Sequence, residues 1–362
     1  MKKRMKSILL LLAFVCVMAI VFFVLYKGAP ETEQVNYDVE KITLDLEQAE
    51  GALFGAIRDN LPVLIDEYGI VGVLDISEQA FINNKIGIYQ CHVLMHTIGH
   101  EAVGYYNYDY EKVLAYNSGL CELGYRHGAE AQVILTGGQY IDEIEKFCTI
   151  LQTTDPDAGC FHGAGHAFMN ETLDVYKALD LCETLSVTGR SVDHCYNAVF
   201  AELTNLVGGK DGATGVDYTS GPAIILDADS PIEYCSEFAE KHRYQCVFEF
   251  SGLGISEYSE PSDIEERLKQ CTNGEHDAEL ESGCIKSVSA VGAQHELAIS
   301  QTITFPEHIL DLPDELRQAY ILGAGSEMNQ YIISGAERDW KSFCLNFTQE
   351  SDVELCNTIF NG

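Results

Sequence analysis

Residues 141–167 read IDEIEKFCTILQTTDPDAGCFHGAGHA, and this stretch contains the unit from which the fold is built. An amphipathic segment, which predicts a helix, leads to Cys148, and a short linker follows. Cys160 then opens a second segment that is rich in glycine and alanine. Cysteines in these positions predict a disulfide that joins the end of one helix to the start of the next.

The same arrangement recurs along the chain. Five cysteine couples have members only 11 to 13 residues apart: Cys148/Cys160, Cys182/Cys195, Cys235/Cys246, Cys271/Cys284 and Cys344/Cys356. Such regular spacing predicts local disulfides in an oxidising compartment. Cys91 and Cys121 form a further couple, and both open predicted helices. A direct bond between them requires two neighbouring helix starts to come unusually close.

The spacing of the cysteine-opened segments indicates the fold class. They begin at Cys91, Cys121, Cys160, Cys195, Cys246 and Cys284, at intervals typical of a two-helix repeat. Alternating strand patterns are nearly absent. We therefore expect an all-α protein in which residues 41–362 form a two-helix repeat array, either α-solenoid-like or closed, stapled by local disulfides.

One of the repeats resembles a known family. The segment from Cys121 to Gly128 reads Cys-Glu-Leu-Gly-Tyr-Arg-His-Gly, which resembles the opening of Sel1-like, TPR-related repeat proteins with disulfide-stapled helix pairs. The resemblance covers roughly residues 120–300 and implies a binding or scaffolding module. The chain departs from that family in its wider cysteine spacing and in its histidines.

The amino terminus predicts membrane attachment. Residues 1–6 form a basic tip, residues 7–26 an apolar run long enough to span a bilayer, and residues 27–40 an acidic linker. The run remains bulky to its end, which favours a retained single-pass signal anchor over a cleaved signal peptide. The basic tip is then cytoplasmic, and the rest of the chain lies outside, at the cell surface or in a periplasm-like space.

The charge excludes several classes of partner. The chain has 22 Lys+Arg against 56 Asp+Glu, for a net charge of −34. A surface this negative repels phosphate groups, so we expect no binding to nucleic acid. The expected partners are the membrane, through the N-terminal helix, and a protein on the repeat surface.

Histidines provide the strongest functional signal. Six of the 11 histidines lie in three neighbouring cysteine-opened segments: His92, His96, His100, His127, His162 and His166. Histidines four residues apart share one helix face. Equivalent positions of a stacked array lie side by side, so these imidazoles should converge and could bind copper, zinc or iron.

The predicted site has ligands and supporting groups. We expect His92, His96, His127, His162 and His166 to bind the metal, with His100, Glu101 and Glu122 as second-shell or bridging groups. Binding should weaken below about pH 6 as the imidazoles take up protons. The pattern does not distinguish a metal-dependent enzyme from a metal-binding or metal-delivery protein. The alternative is an interaction scaffold whose histidines are structural and hydrogen-bond the neighbouring backbone.

Overall fold

A computed structural model of the chain describes residues 42, 53–83, 85–116, 121–136, 140–154, 159–207, 231–252, 261–272, 277–299, 303–333 and 339–361. Every regular element in these ranges is a helix, so the all-α prediction is confirmed. None of the helices in these ranges is both long and apolar enough to cross a bilayer. The predicted basic tip, anchor and acidic linker lie outside the described residues.

Sixteen α-helices are described. They are α1 (Leu53–Asp59), α2 (Leu61–Ile82), α3 (Ile88–Tyr105), α4 (Tyr110–Leu114), α5 (Gly124–Thr136), α6 (Tyr140–Thr154), α7 (His162–Thr172), α8 (Val175–Thr184), α9 (Asp193–Val207), α10 (Pro231–Cys235), α11 (Glu240–Ser251), α12 (Pro261–Cys271), α13 (Ala278–Ile299), α14 (Asp314–Ile333), α15 (Trp340–Cys344) and α16 (Glu350–Asn361). Short 3-10 turns cover Cys121–Leu123, Leu185–Thr188 and Glu307–Asp311.

One set of helices packs side by side in chain order. Helix α3 contacts α5, α5 contacts α7, α7 contacts α9, and the series continues through α11, α13, α14 and α16. Other helices flank this row, such as α2 against α3, α6 against α5, and α8 against both α7 and α9. The array brings the three histidine-bearing helices next to one another.

The flanking helices follow a simple amphipathic pattern, as α6 illustrates. Its first turn carries Asp142 and Glu143, which favour the positive end of the helix dipole. Its buried residues are Ile144, Phe147, Cys148 and Leu151, whose spacing forms one apolar stripe. This stripe faces the row and presents Cys148 to its partner on the next segment.

The five predicted local disulfides are present, and the structure adds the Cys91–Cys121 bond, which the sequence had left open; the Cα–Cα distances are 5.5 to 6.1 Å. The Cys91–Cys121 bond forms because Cys91 lies one turn inside α3 while Cys121 lies in the 3-10 turn that precedes α5. Cys121 has a φ of 53°, and this left-handed turn lets the chain approach α3 before α5 begins.

Several helix boundaries differ from the prediction that a cysteine ends one helix and opens the next. Helix α6 continues beyond Cys148 to Thr154. Helices α11 and α13 begin at Glu240 and Ala278, more than one turn before Cys246 and Cys284. Acidic residues in the first turn of each helix stabilise these earlier starts. The cysteines therefore mark where neighbouring helices come close, which need not be where a helix ends.

Candidate metal centre

Three helices carry the six histidines, and glycines let their backbones touch. A Cβ atom on Gly128 of α5 would lie 1.8 Å from the carbonyl oxygen of His96 on α3. A Cβ atom on Gly163 of α7 would lie 2.1 Å from the carbonyl oxygen of His127 on α5. No side chain fits at either crossing. The close approach brings together the histidines beside each crossing.

Five of the imidazoles form a closed ring of neighbours. The ring centroids are 6.1 Å apart for His92 and His96, and 5.2 Å apart for His96 and His166. The centroids are 4.9 Å apart for His166 and His162, and 4.1 Å apart for His162 and His127. The ring closes at 5.7 Å from His127 to His92. The sixth imidazole, His100, lies 5.2 Å from His96. The predicted convergence is thus present in the structure.

Hydrogen bonds from distant elements orient three of these imidazoles. The Nδ1 atom of His166 lies 2.8 Å from a carboxylate oxygen of Glu202 on α9. The Nδ1 atom of His92 lies 3.0 Å from the carbonyl oxygen of Cys121, and that of His100 lies 3.0 Å from the amide oxygen of Gln132. Each of these oxygens accepts a hydrogen bond, so each Nδ1 carries the proton and each Nε2 carries the lone pair. Metal-binding histidines have the same pattern.

His162 and His166 come close through their Nε2 atoms, which are 3.2 Å apart. The Nε2 of His166 has the lone pair, so the N–H of His162 donates to it. Two nitrogens that bind one tetrahedral ion with bonds of about 2.0–2.1 Å are separated by about 3.3 Å. The two nitrogens are therefore close enough for ligands at a metal centre, and in the metal-free protein a proton lies between them.

Four buried nitrogens of the clustered imidazoles have no hydrogen-bond partner among the described residues. They are both ring nitrogens of His96, Nε2 of His100 and Nδ1 of His127. The His96 side chain is fully buried, and 9% of His127 is exposed. A buried polar atom without a partner destabilises a protein by about 1–3 kcal/mol. These nitrogens are consequently available to a metal ion.

The surroundings favour the uncharged form of four of the clustered imidazoles, and they do so by lowering the pKa. Burial lowers the pKa of His96 well below 6.5, and the neighbouring imidazoles of His166 and His100 lower it further. Burial and nearby histidines likewise lower the pKa values of His127 and His162 well below 6.5. Burial also lowers the pKa of His100, although its hydrogen bond with Gln132 opposes this. Neutral imidazoles can bind metal ions at neutral pH.

A buried carboxyl group holds the start of α7. Glu130 of α5 accepts a hydrogen bond of 3.0 Å from the backbone N–H of Gly163, at the helix end that attracts negative charge. Burial raises the pKa of Glu130 to about 7, and the Arg126 charge partly opposes this. Glu130 also lies close to Cys148 and Cys160, but these sulfurs are bonded to each other and cannot act as thiolate ligands.

Metal binding requires some of the rings to turn. In the part of the chain that is described, no three imidazole nitrogens lie within 4.8 Å of one another. Three ligands of one zinc or copper ion are separated by about 3.3 Å. Neighbouring ring centroids lie 4.1 to 6.1 Å apart, so the nitrogens would approach one another by rotation about the side-chain bonds.

The structure brings together all five predicted ligands and His100. Glu101 is exposed to solvent on α3, and the side chain of Glu122 lies outside the described residues. Sequence reasoning did not assign Glu202, Gln132 or Glu130 to the centre. Glu202 could have been recognised, because it follows Cys195 by seven residues and His166 follows Cys160 by six, which places both on equivalent faces.

Comparisons with protein families, curated proteins and solved structures found no match to this chain. The resemblance to Sel1-like repeats therefore stays a prediction, and the histidine cluster is the main indication of what the protein does.

Proposed function

We propose that this chain is a membrane-anchored, extracytoplasmic protein that binds a transition metal through its histidine cluster. The observation that carries the proposal is the set of four buried nitrogens without a hydrogen-bond partner, on His96, His100 and His127. They lie inside a cluster whose other members are oriented by hydrogen bonds. A metal ion would satisfy one nitrogen on each of these imidazoles and offset part of the free energy of burying them.

The ligand chemistry favours copper, zinc or iron. Imidazole is a good ligand for these ions, whereas calcium and magnesium prefer oxygen ligands. Cys91 and Cys160, which lie one and two residues before His92 and His162, are both in disulfides and are not available as thiolates. The proposed centre is therefore built from neutral nitrogen ligands, with the carboxylate of Glu202 hydrogen-bonded to one of them.

The role supported best is to hold the ion for storage or delivery. The groups that reach the histidines from other elements, Glu202, Gln132 and the Cys121 carbonyl, all accept hydrogen bonds from Nδ1. Such contacts orient the rings and raise metal affinity. A metal-dependent reaction is compatible with the same site, because an ion bound by three imidazoles keeps an open position.

Two features support the proposed location. Residues 7–26 are apolar, and Lys2, Lys3, Arg4 and Lys6 precede them, which favours a cytoplasmic amino terminus. The six disulfides are typical of an oxidising compartment. We expect the protein in the membrane fraction, with its main domain accessible to protease from the outside.

An interaction scaffold is the second candidate. The row of helices from α3 to α16 supports it, since stacked helix pairs present extended surfaces to partners. In that case the histidines serve packing alone. The two candidates differ in whether the purified protein holds metal.

Metal content is the test. The full-length chain is purified in detergent without a histidine tag or chelator, and its bound copper, zinc and iron are measured. The comparison is with the His162→Ala/His166→Ala variant and with His308→Ala, a histidine outside the cluster. We expect metal in the parent and in His308→Ala and its loss in the double variant. Parent protein that cannot be loaded, and whose melting temperature does not respond to metal, would favour the scaffold.

A further inference from the structure

We infer that the cluster binds two metal ions side by side, one held by His92, His127 and His162 and the other by His96, His100 and His166, with a small anion bridging them. The inference rests on the proposed metal-binding function and extends it to the number of ions and the class of their shared ligand. We refer to these sets as the His92 group and the His96 group.

The cluster contains more imidazoles than one metal ion can bind. A tetrahedral zinc or copper ion takes up to four protein ligands, whereas six imidazoles contact one another here. A single ion would leave at least two of these imidazoles without a metal. Two ions with three imidazoles each would employ all six.

Buried nitrogens without a hydrogen-bond partner lie at both ends of the cluster. One of them, Nδ1 of His127, belongs to the His92 group. The other three, on His96 and His100, belong to the His96 group. His127 contacts His92 and His162, whereas His100 contacts His96, so they lie at different ends of the cluster. One ion placed at either end leaves a buried nitrogen unsatisfied at the other.

The two groups contact each other through one imidazole from each. His162 and His166 belong to different groups, and their Nε2 atoms are 3.2 Å apart. Paired metal ions in proteins are separated by about 3.5–4 Å. Ligands of two adjacent ions can lie about as close as the ions themselves, so this distance permits one ion on each imidazole.

The bridging ligand follows from the coordination number. Three imidazoles leave the fourth position of each tetrahedral ion open. Six imidazoles contribute no negative charge, and Glu202 supplies one carboxylate at His166. Two divalent ions therefore retain excess positive charge in a largely buried site, and a small anion such as hydroxide would reduce it. Azide is a suitable probe of this position.

Ion counting tests the inference. The full-length chain in detergent is loaded with copper(II) or with zinc(II), separated from excess metal and analysed. We expect two ions per chain in the parent, and one in each of two variants, His92→Gln/His127→Gln and His96→Gln/His100→Gln. One ion per chain in the parent, or loss of both ions from either variant that keeps the parent's helical circular dichroism, overturns the two-ion inference. No ion in the parent overturns the proposed function as well.

Two measurements on the parent alone avoid the risk that a variant fails to fold. If an anion bridges two adjacent copper(II) ions, antiferromagnetic exchange through it makes the integrated electron paramagnetic resonance signal smaller than the total copper. A signal that accounts for all the copper overturns the inference. Titration with azide should saturate at one azide per two copper ions, whereas one azide per copper ion overturns the bridging position.

Discussion

At the scale of single residues, the cluster depends on groups that are distant in the sequence. Glu202 is 36 residues from His166, and Gln132 is 32 residues from His100. Each fixes the position of a proton on Nδ1 and thereby leaves a lone pair on Nε2. The chemistry of an imidazole is therefore determined by a neighbour that belongs to another repeat.

Replacing the carboxylate that supports His166 should weaken metal binding. Glu202→Gln keeps the shape of the side chain but removes the charge that favours the protonated Nδ1 and stabilises the ion. We expect the dissociation constant to rise about 10–100-fold. Isothermal titration with zinc measures the change. Glu171→Gln is the control, because Glu171 is an exposed acid on the same helix as His166. Equal affinities for both variants would contradict a supporting role for Glu202.

Acid should destabilise the metal-free protein through the same residues. The folded protein holds the pKa values of His96, His127 and His162 well below 6.5, whereas the unfolded chain titrates near 6.5. Below about pH 6.5 the unfolded state binds more protons than the folded state. The free energy of unfolding is therefore highest above this pH and falls as the pH decreases. Thermal melts from pH 8 to pH 5 measure the effect. His96→Leu should make the pH dependence weaker, and an unchanged dependence would contradict this assignment.

At the scale of helices, glycine determines how closely the histidine-bearing helices approach. Gly128 and Gly163 lie where one helix backbone meets the next. Glycine inside a helix is unfavourable by about 1 kcal/mol relative to alanine. The close packing of the array offsets this, and it also brings the imidazoles into contact.

A methyl group at the first crossing should separate the helices. Gly128→Ala adds a Cβ where only 1.8 Å is available to the His96 carbonyl oxygen, so α3 and α5 must move apart. We expect a loss of about 1–3 kcal/mol in unfolding free energy, together with weaker metal binding. Denaturant unfolding measures the loss. Gly104→Ala on α3 is the control: nothing lies within 4 Å of its added Cβ, so it should be neutral or stabilising.

The disulfide beside α7 should affect both stability and the metal site. Cys148–Cys160 and Cys344–Cys356 both join residues 12 apart, so each stabilises the fold by about 3 kcal/mol in the chain-entropy model. Replacing either pair by serine should lower the melting temperature to a similar extent. Only the first replacement should weaken metal binding, because Cys160 lies two residues before His162. Equal metal affinity in both variants would contradict this coupling.

At the scale of the whole molecule, the histidine-bearing helices belong to the same continuous row as the carboxyl-terminal helices. Each helix in this row contacts the next, so an ion that joins α3, α5 and α7 stabilises part of the shared core. Metal binding should therefore raise the free energy of unfolding of the whole domain.

Metal should raise the melting temperature of the purified protein. A ligand present at 100 times its dissociation constant stabilises the folded state by about 2.7 kcal/mol. We expect this order of effect with zinc or copper, measured by differential scanning fluorimetry and reversed by a chelator. Calcium at the same concentration should have no comparable effect, because it prefers oxygen ligands. A rise with calcium equal to that with zinc would indicate a nonspecific response to positive charge.

Local patterns in the sequence were enough to predict the all-α fold, the five local disulfides and the helix faces that carry the histidines. These features depend on helical periodicity and on cysteines close together in the chain, which act over short distances. The bonding of Cys91 to Cys121, the true ends of α6, α11 and α13, and the partners of each imidazole were decided by tertiary structure. They depend on how separate helices pack across glycine contacts, and residues far apart in the chain meet only when those helices have packed.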